Sequence, residues 1–273
     1  MKQTILITFA LIANLGLAQY DYQNVRVLNA DYEFEEGSTE ILYGDNVVLR
    51  KKPSGSAKAL DTLSIGSEIT ILENTNKQIT VNGKKSVWYK VETSSSTGYI
   101  AGGFIALDSR KVNGGTYMVI MAKAEETEKF RVRYLKNGEY YGKEGDLQTY
   151  SFVLRAHDDR GVEGIESMVL IDFMAESCGV DGGFTYLFND GQRLIKAMHC
   201  AEIGDGGYWF SEKLTFPDER EWGTHIDYER EVGRPMNDEY SWYQSQKDVV
   251  TIQWKGDHFE PNVEDIDFGG DDW

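Results

Sequence analysis

VWYKVETSSSTGYIAGGFIAL, residues 87–107, decides how the first half of the chain folds. An apolar-aromatic run, a Ser/Thr turn and a second run closed by a glycine pair read as two short antiparallel strands and a corner. Side chains alternate across a strand, so Tyr89 and Val91 point to one side and Trp88 and Lys90 to the other. The parity places Tyr89 and Val91 in a core and leaves Trp88 on the outer face near Tyr99, as part of a shallow groove. Upstream, Thr70 separates Ile69 from Ile71, which again share a face, and Asn82-Gly83 is the dipeptide suited to a type I′ hairpin just before the quoted stretch. From Ile41 to Leu107 the chain is dense in such short runs, punctuated by Gly, Pro, Ser and Asn, and it forms the first domain.

The order NVVLRKKPSGSAKAL, LSIGSEITIL, VWYKVE and TGYIAGGFIAL over residues 41–107 resembles a bacterial SH3-like (SH3b) domain. The family pattern is Asn-Val-Arg-x-Gly-Pro-Ser, a Gly-initiated strand, Trp-Tyr-x-Val and then Gly-Trp/Tyr-Ile/Val. Two departures stand out: no glycine precedes Pro53, and the loop from Asn74 to Ser86 is longer than usual. The resemblance implies a small β-barrel that exported bacterial proteins use to bind cell-wall peptide (peptidoglycan) or a partner protein, without catalysis. Contact is then expected through Trp88, Tyr99 and the loop from Arg50 to Ser54.

The start, MKQTILITFALIANLGLAQ, carries a lysine, a short apolar stretch and small residues up to Ala18, the pattern of a cleaved export signal over residues 1–18. The expected protein is therefore secreted or periplasmic, begins at Gln19, has an N-terminal segment over 19–40, and makes no membrane contact after cleavage. With 45 acidic against 28 basic residues its formal charge is −17, opposite in sign to what nucleic acid or anionic lipid attracts. Nucleic acid is excluded as an expected partner.

DSRKVNGG, residues 108–115, is short, polar and glycine-ended, and reads as a linker. Beyond it TYMVIMA, KFRVRYL, TYSFVLRA, FTYLF, RLIKAMH, GYWFSEKLTF and VVTIQW, with Asn137-Gly138 and Asp190-Gly191 as turns, predict an antiparallel β domain over 116–256. The fold class is thus mainly all-β. One segment stays open: around 163–176, Ile165, Met168, Val169 and Phe173 have helical spacing, but the middle is apolar enough for a buried strand. The acidic stretch 257–273 has little apolar surface and is expected to be a mobile tail.

Two cysteines in an exported chain favour a disulfide, and Cys178 and Cys200 flank the hairpin around Asp190-Gly191, which suggests that they pair. A nucleophilic Cys178 with His199 is the competing reading, but Gly-Val-Asp-Gly-Gly follows the cysteine where an apolar helix is needed to lower the thiol pKa. The four histidines, His157, His199, His225 and His258, have no metal-binding spacing, and HDDRGVEG, EIGDGG and the acidic tail lack the ligand spacing of a calcium loop. No catalytic residue, metal ligand or cofactor is assigned. GGYWFSEKLTF and DEYSWYQSQ concentrate aromatic residues, which fit cross-strand pairs better than a ligand platform. The leading expectation is an exported, non-catalytic binding protein. A secreted hydrolase with its site in the C-terminal domain and a structural spacer are the alternatives.

Overall fold

The computed structural model describes residues 26–27, 32–175, 177–220, 223–236, 243–266 and 268. The export signal, half of the segment 19–40 and the end of the acidic tail lie outside the described residues.

After β1 (Arg26–Val27), six strands build the first sheet: β2 (Thr39–Ile41), β3 (Val47–Arg50), β4 (Ala59–Leu63), β5 (Glu68–Val81), β6 (Lys84–Glu92) and β7 (Thr97–Ala101). Their order is β2-β5-β6-β7-β3-β4, and every pairing is antiparallel. The parity of the sequence is kept. Ile69, Ile71, Tyr89 and Val91 enter one core with Leu42, Leu49, Ile100 and Ile105, and full burial of each large aliphatic side chain stabilises by roughly 1.5–3 kcal/mol. Asn82 and Gly83 have φ of 53° and 75°, the left-handed pair that a type I′ turn requires.

The glycine pair of the opening stretch is structural. Gly102 and Gly103 start a 3-10 turn (Gly102–Phe104) laid against the β5–β6 hairpin. A Cβ at Gly102 would sit 2.7 Å from the Tyr89 ring, and one at Gly103 would sit 2.5 Å from Val81 Cβ.

The expected linker is a strand. β8 (Asp108–Val112) turns through Asn113 and Gly114, with φ of 50° and 76°, into β9 (Gly115–Ala124), followed by β10 (Thr127–Lys136) and β11 (Glu139–Asp146). The second sheet has the order β11-β10-β9-β8, and the polarity of residues 108–115 is that of an edge strand and its hairpin turn. The first barrel runs into the second sheet without a spacer. Leu107 N–H donates to Val119 O (2.8 Å), Lys123 N–H donates to Asn82 O (3.0 Å), and Tyr43, Ile65 and Ala106 share a small core with Met118 and Ile120.

β12 (Ser151–His157), β13 (Ser167–Phe173), β14 (Phe184–Asn189) and β15 (Leu194–Cys200) form the third sheet, order β1-β12-β13-β14-β15. The open segment therefore resolves as the central strand β13, all seven residues of which are buried. Val169, Ile171 and Phe173 pack toward β9 and β10, whereas Met168 and Leu170 pack toward the fourth sheet. A strand buried on both faces has no polar side to expose, so its alternation disappears into a continuous apolar run.

The fourth sheet is a meander of β16 (Glu202–Asp205), β17 (Tyr208–Thr215), β18 (Ile226–Pro235), β19 (Tyr243–Trp254) and β20 (Phe259–Glu260). Residues 116–256 thus stack as three layers, with the third sheet in the middle. The acidic stretch expected to be mobile packs on the body at Phe259 and Phe268. Phe259 is 5% exposed, and the Phe268 ring lies 5.9 Å from Tyr228 and 5.0 Å from the Arg230 guanidinium. With Val263, these two aromatic residues pack an acidic segment, whose average composition reads as unstructured, onto the core.

Candidate ligand-binding surface

On the outer face of the first barrel the ladder sets Arg50 opposite Tyr99 and Tyr99 opposite Lys90, while Trp88 pairs with Ala101. Arg50, Tyr99 and Lys90 therefore stand in a row across β3, β7 and β6, all half-buried, and Trp88 is the diagonal neighbour of Tyr99. The expected face is present, but Trp88 does not line a groove on it: the residue is only 5% exposed. It sits on a central strand, and beside it β5 bulges, with the register jumping from Asn74↔Tyr89 to Gln78↔Val87. Three residues, Thr75 to Lys77, lie opposite Trp88 where a regular ladder has one, and the Thr75 hydroxyl donates to its carbonyl (2.7 Å). The stretch from Asn74 to Ser86, expected as a long loop, is this bulge followed by the paired end of the β5–β6 hairpin.

The loop following Arg50 is closed on itself. Arg50 Nη1 donates to Ala57 O (2.8 Å), Lys51 N–H to Lys58 O (2.9 Å), Ala57 N–H to Ser54 O (3.0 Å), and the Ser54 hydroxyl pairs with that of Ser56 (3.1 Å). Lys51, Lys52 and Lys58 project into solvent. Arg50 and Lys90 thus flank Tyr99, with Lys51, Lys52 and Lys58 exposed on the loop that follows Arg50, while the row ends at exposed Glu73, the ladder partner of Lys90. Such a row offers charge-assisted hydrogen bonds to carboxylate and a ring against which an apolar stem can rest.

A second, polar recess adjoins the bulge. Tyr32, Glu33, Asn76, Gln78, Lys85, Ser86 and Val87 line it, with a volume of about 180 Å³. Sequence reasoning missed it because Tyr32 and Glu33 come from a segment separate from the barrel strands. They are fixed there by tertiary contacts: the Phe34 N–H donates to the Tyr89 hydroxyl (3.1 Å), and the Tyr32 and Phe34 rings meet edge to face at 5.1 Å. Burial pushes the Tyr89 hydroxyl up to about 12, so it stays protonated in that contact.

The two cysteines are free, which corrects the expected disulfide: Cys178 is exposed and Cys200 is buried. Cys200 pairs with Phe184, and the chain before Phe184 continues past it. Gly182 N–H donates to Glu202 O and Gly179 N–H to Gly204 O, both at 2.9 Å. Cys178 is thereby carried to the level of Gly204, four residues beyond Cys200, or about 13 Å of strand. A disulfide spans at most about 7 Å between Cα atoms. Burial also pushes the Cys200 thiol well up, with Glu212 and Asp181 adding to the rise, so it is held as the inert thiol.

His199, considered with Cys178, instead belongs to a chain of polar contacts that the sequence did not reveal. Its Nε2 faces Asp181 Oδ2 at 2.7 Å and its Nδ1 faces the Thr185 hydroxyl at 2.9 Å, while Asp181 Oδ1 accepts from Glu202 N–H at 3.0 Å. Hydroxyl, imidazole and carboxylate are the groups of a hydrolytic triad, but Thr185 is 1% exposed and its oxygen has no approach for a substrate. The arrangement clamps the loop before β14 onto β15 and β16.

Residues 45–106 match the family model of the bacterial SH3 domain, so the chain carries that domain, followed by further antiparallel β-sheets. No curated protein and no solved structure matches the chain.

Proposed function

We propose that the protein is exported and works as a non-catalytic binding protein, its SH3 module contacting cell-wall peptide through the face formed by Arg50, Lys90, Tyr99 and the loop to Ser54. The observation that carries this reading is the cross-strand row Arg50–Tyr99–Lys90 with its lysine rim. Stem peptides of the cell wall present free carboxylates on short aliphatic side chains, which fit cations placed around an aromatic ring. The overall charge of −17 makes a merely general attraction to an anionic polymer unfavourable, so binding has to be local. The remaining sheets act as the rigid body on which the module is mounted, fastened by the core around Met118 and Ile120.

Sedimentation of purified protein with insoluble peptidoglycan at low and high salt tests this. Binding should fall with salt, because exposed charge pairs are screened beyond about 10 Å at 0.1 M. Tyr99→Ala and Lys52→Glu should each weaken it several-fold with folding intact. Equal binding by wild type and both variants would reject this face, and capture of a protein instead of peptidoglycan would redirect the module to a protein partner.

A further inference from the structure

The outer end of the fourth sheet holds an apolar cleft remote from the SH3 module. Ile203 pairs with Phe210 and Phe210 with Val232, so the three stand abreast on one face of β16, β17 and β18. Further along the strands, that same face packs on the body, through Leu214 and Tyr228. Asp205, Tyr208 and Arg234 border the cleft, whose volume is about 230 Å³. Tyr208 is 58% exposed, and its ring edges a mainly apolar opening that Asp205 and Arg234 also border.

The chain itself arrives beside this cleft. Phe268 O accepts from Gln246 Nε2 (3.4 Å), and Gln246 is the Cα partner of Val232 on the cleft floor. The Arg230 guanidinium lies over both the Phe268 ring (5.0 Å) and the Phe210 ring (5.5 Å), so a single cation separates Phe268 from the cleft wall. Gly-Gly-Asp-Asp-Trp follows as residues 269–273. Five residues reach up to about 17 Å, and from Arg230 to Arg234 along β18 is about 13 Å. The pentapeptide joins two pliable glycines, two acids and one large apolar ring, and the cleft region offers two guanidinium groups and an apolar floor of matching size.

We propose that this cleft is the docking site of the chain's own segment Gly269–Trp273, with the Trp273 indole on Ile203, Phe210 and Val232 and the acidic pair drawn to Arg230 and Arg234. The docking continues the anchoring begun by Phe259 and Phe268, and it covers apolar surface that would otherwise meet water.

The test uses a fluorescently labelled Gly-Gly-Asp-Asp-Trp peptide against the full chain and against a chain lacking residues 269–273. The truncated protein should bind the peptide, more weakly at high salt, and the full chain at least ten-fold less, because the tethered segment competes at an effective concentration on the order of mM. Val232→Glu in the truncated protein should abolish binding. Since that change can disturb the sheet, Tyr208→Ser at the exposed rim serves as a second variant and should weaken binding with the melting transition unchanged. No binding to the truncated protein, or equal binding to both chains, overturns the proposal. A full chain that dimerises with rising concentration, and loses this on truncation, also overturns it, by assigning the cleft to the segment of a second copy.

Discussion

Ile171→Ala distinguishes the two readings that the segment 163–176 allows. On a helix with Ile165, Met168, Val169 and Phe173 facing the core, Ile171 and Leu170 would project from the sides away from that face, and truncating either would cost within about 0.5 kcal/mol. On β13 Ile171 is fully buried, between Leu154 on β12 and Thr185 on β14, among the residues that pack on β9 and β10. The substitution removes three carbons, about 2.4 kcal/mol at roughly 0.8 kcal/mol per buried methylene. A cavity contribution adds to this, because neighbours held in a sheet between two layers collapse only partly, and the measured range for such truncations is about 2–5 kcal/mol. We expect about 3–4 kcal/mol. Urea unfolding followed by far-UV circular dichroism would show it as a lowered midpoint with an unchanged slope. Ile171→Val should cost about 1 kcal/mol by the same reasoning, and Leu72→Ala, at a site 38% exposed, should be near neutral. A loss below about 1 kcal/mol for Ile171→Ala would refute the two-sided strand.

Further outcomes rest on the same packing. Without reductant, native protein should show one reactive thiol, Cys178, and a second, Cys200, only after unfolding; no reactive thiol in either state would restore the disulfide. Gly83→Ala should destabilise by about 1–2 kcal/mol, since the left-handed conformation is costly for a residue with a Cβ, and a Cβ there would stand 2.7 Å from Lys123 O; unchanged stability would argue against the turn. Deleting residues after Pro261 should lower the melting temperature by removing Phe268 from Tyr228 and Arg230, and an unaltered melt would return the tail to solvent. Burial, with Arg160 nearby, holds the His157 pKa below its ordinary value of 6.5. The folded state therefore binds fewer protons, and stability present above pH 6.5 is lost as pH falls through the folded pKa. His157→Gln should flatten the fall in stability between pH 7 and pH 5, and an identical profile would show that the imidazole does not contribute.

Local chemistry by itself determined a good deal of this protein. Asn82-Gly83 and Asn137-Gly138 form their hairpins because few other dipeptides accept two left-handed residues, and Ile69, Ile71, Tyr89 and Val91 reach the core because strand parity is a property of the backbone. The resemblance over 41–107 held for the same reason: its motifs encode strands and corners that close on one another over short distances. β11 and β18 escaped notice because charged residues dilute their alternation, as in Ile226–Pro235, where Tyr228 and Val232 alone recur with Ile226 at even spacing. Tertiary structure decided what depends on a second layer. Whether Met168 to Phe173 forms a helix or a strand turns on there being a core on each side of it, and Trp88, on the outward parity of its strand, is nonetheless buried in the assembled structure. Cys178 and Cys200 are kept apart by how far the chain runs beyond a hairpin before turning back, and Phe259 and Phe268 of the acidic stretch pack on a sheet already assembled. For β13 and for Phe268 the deciding partner lies far along the chain, so its free energy enters only after the layers have met.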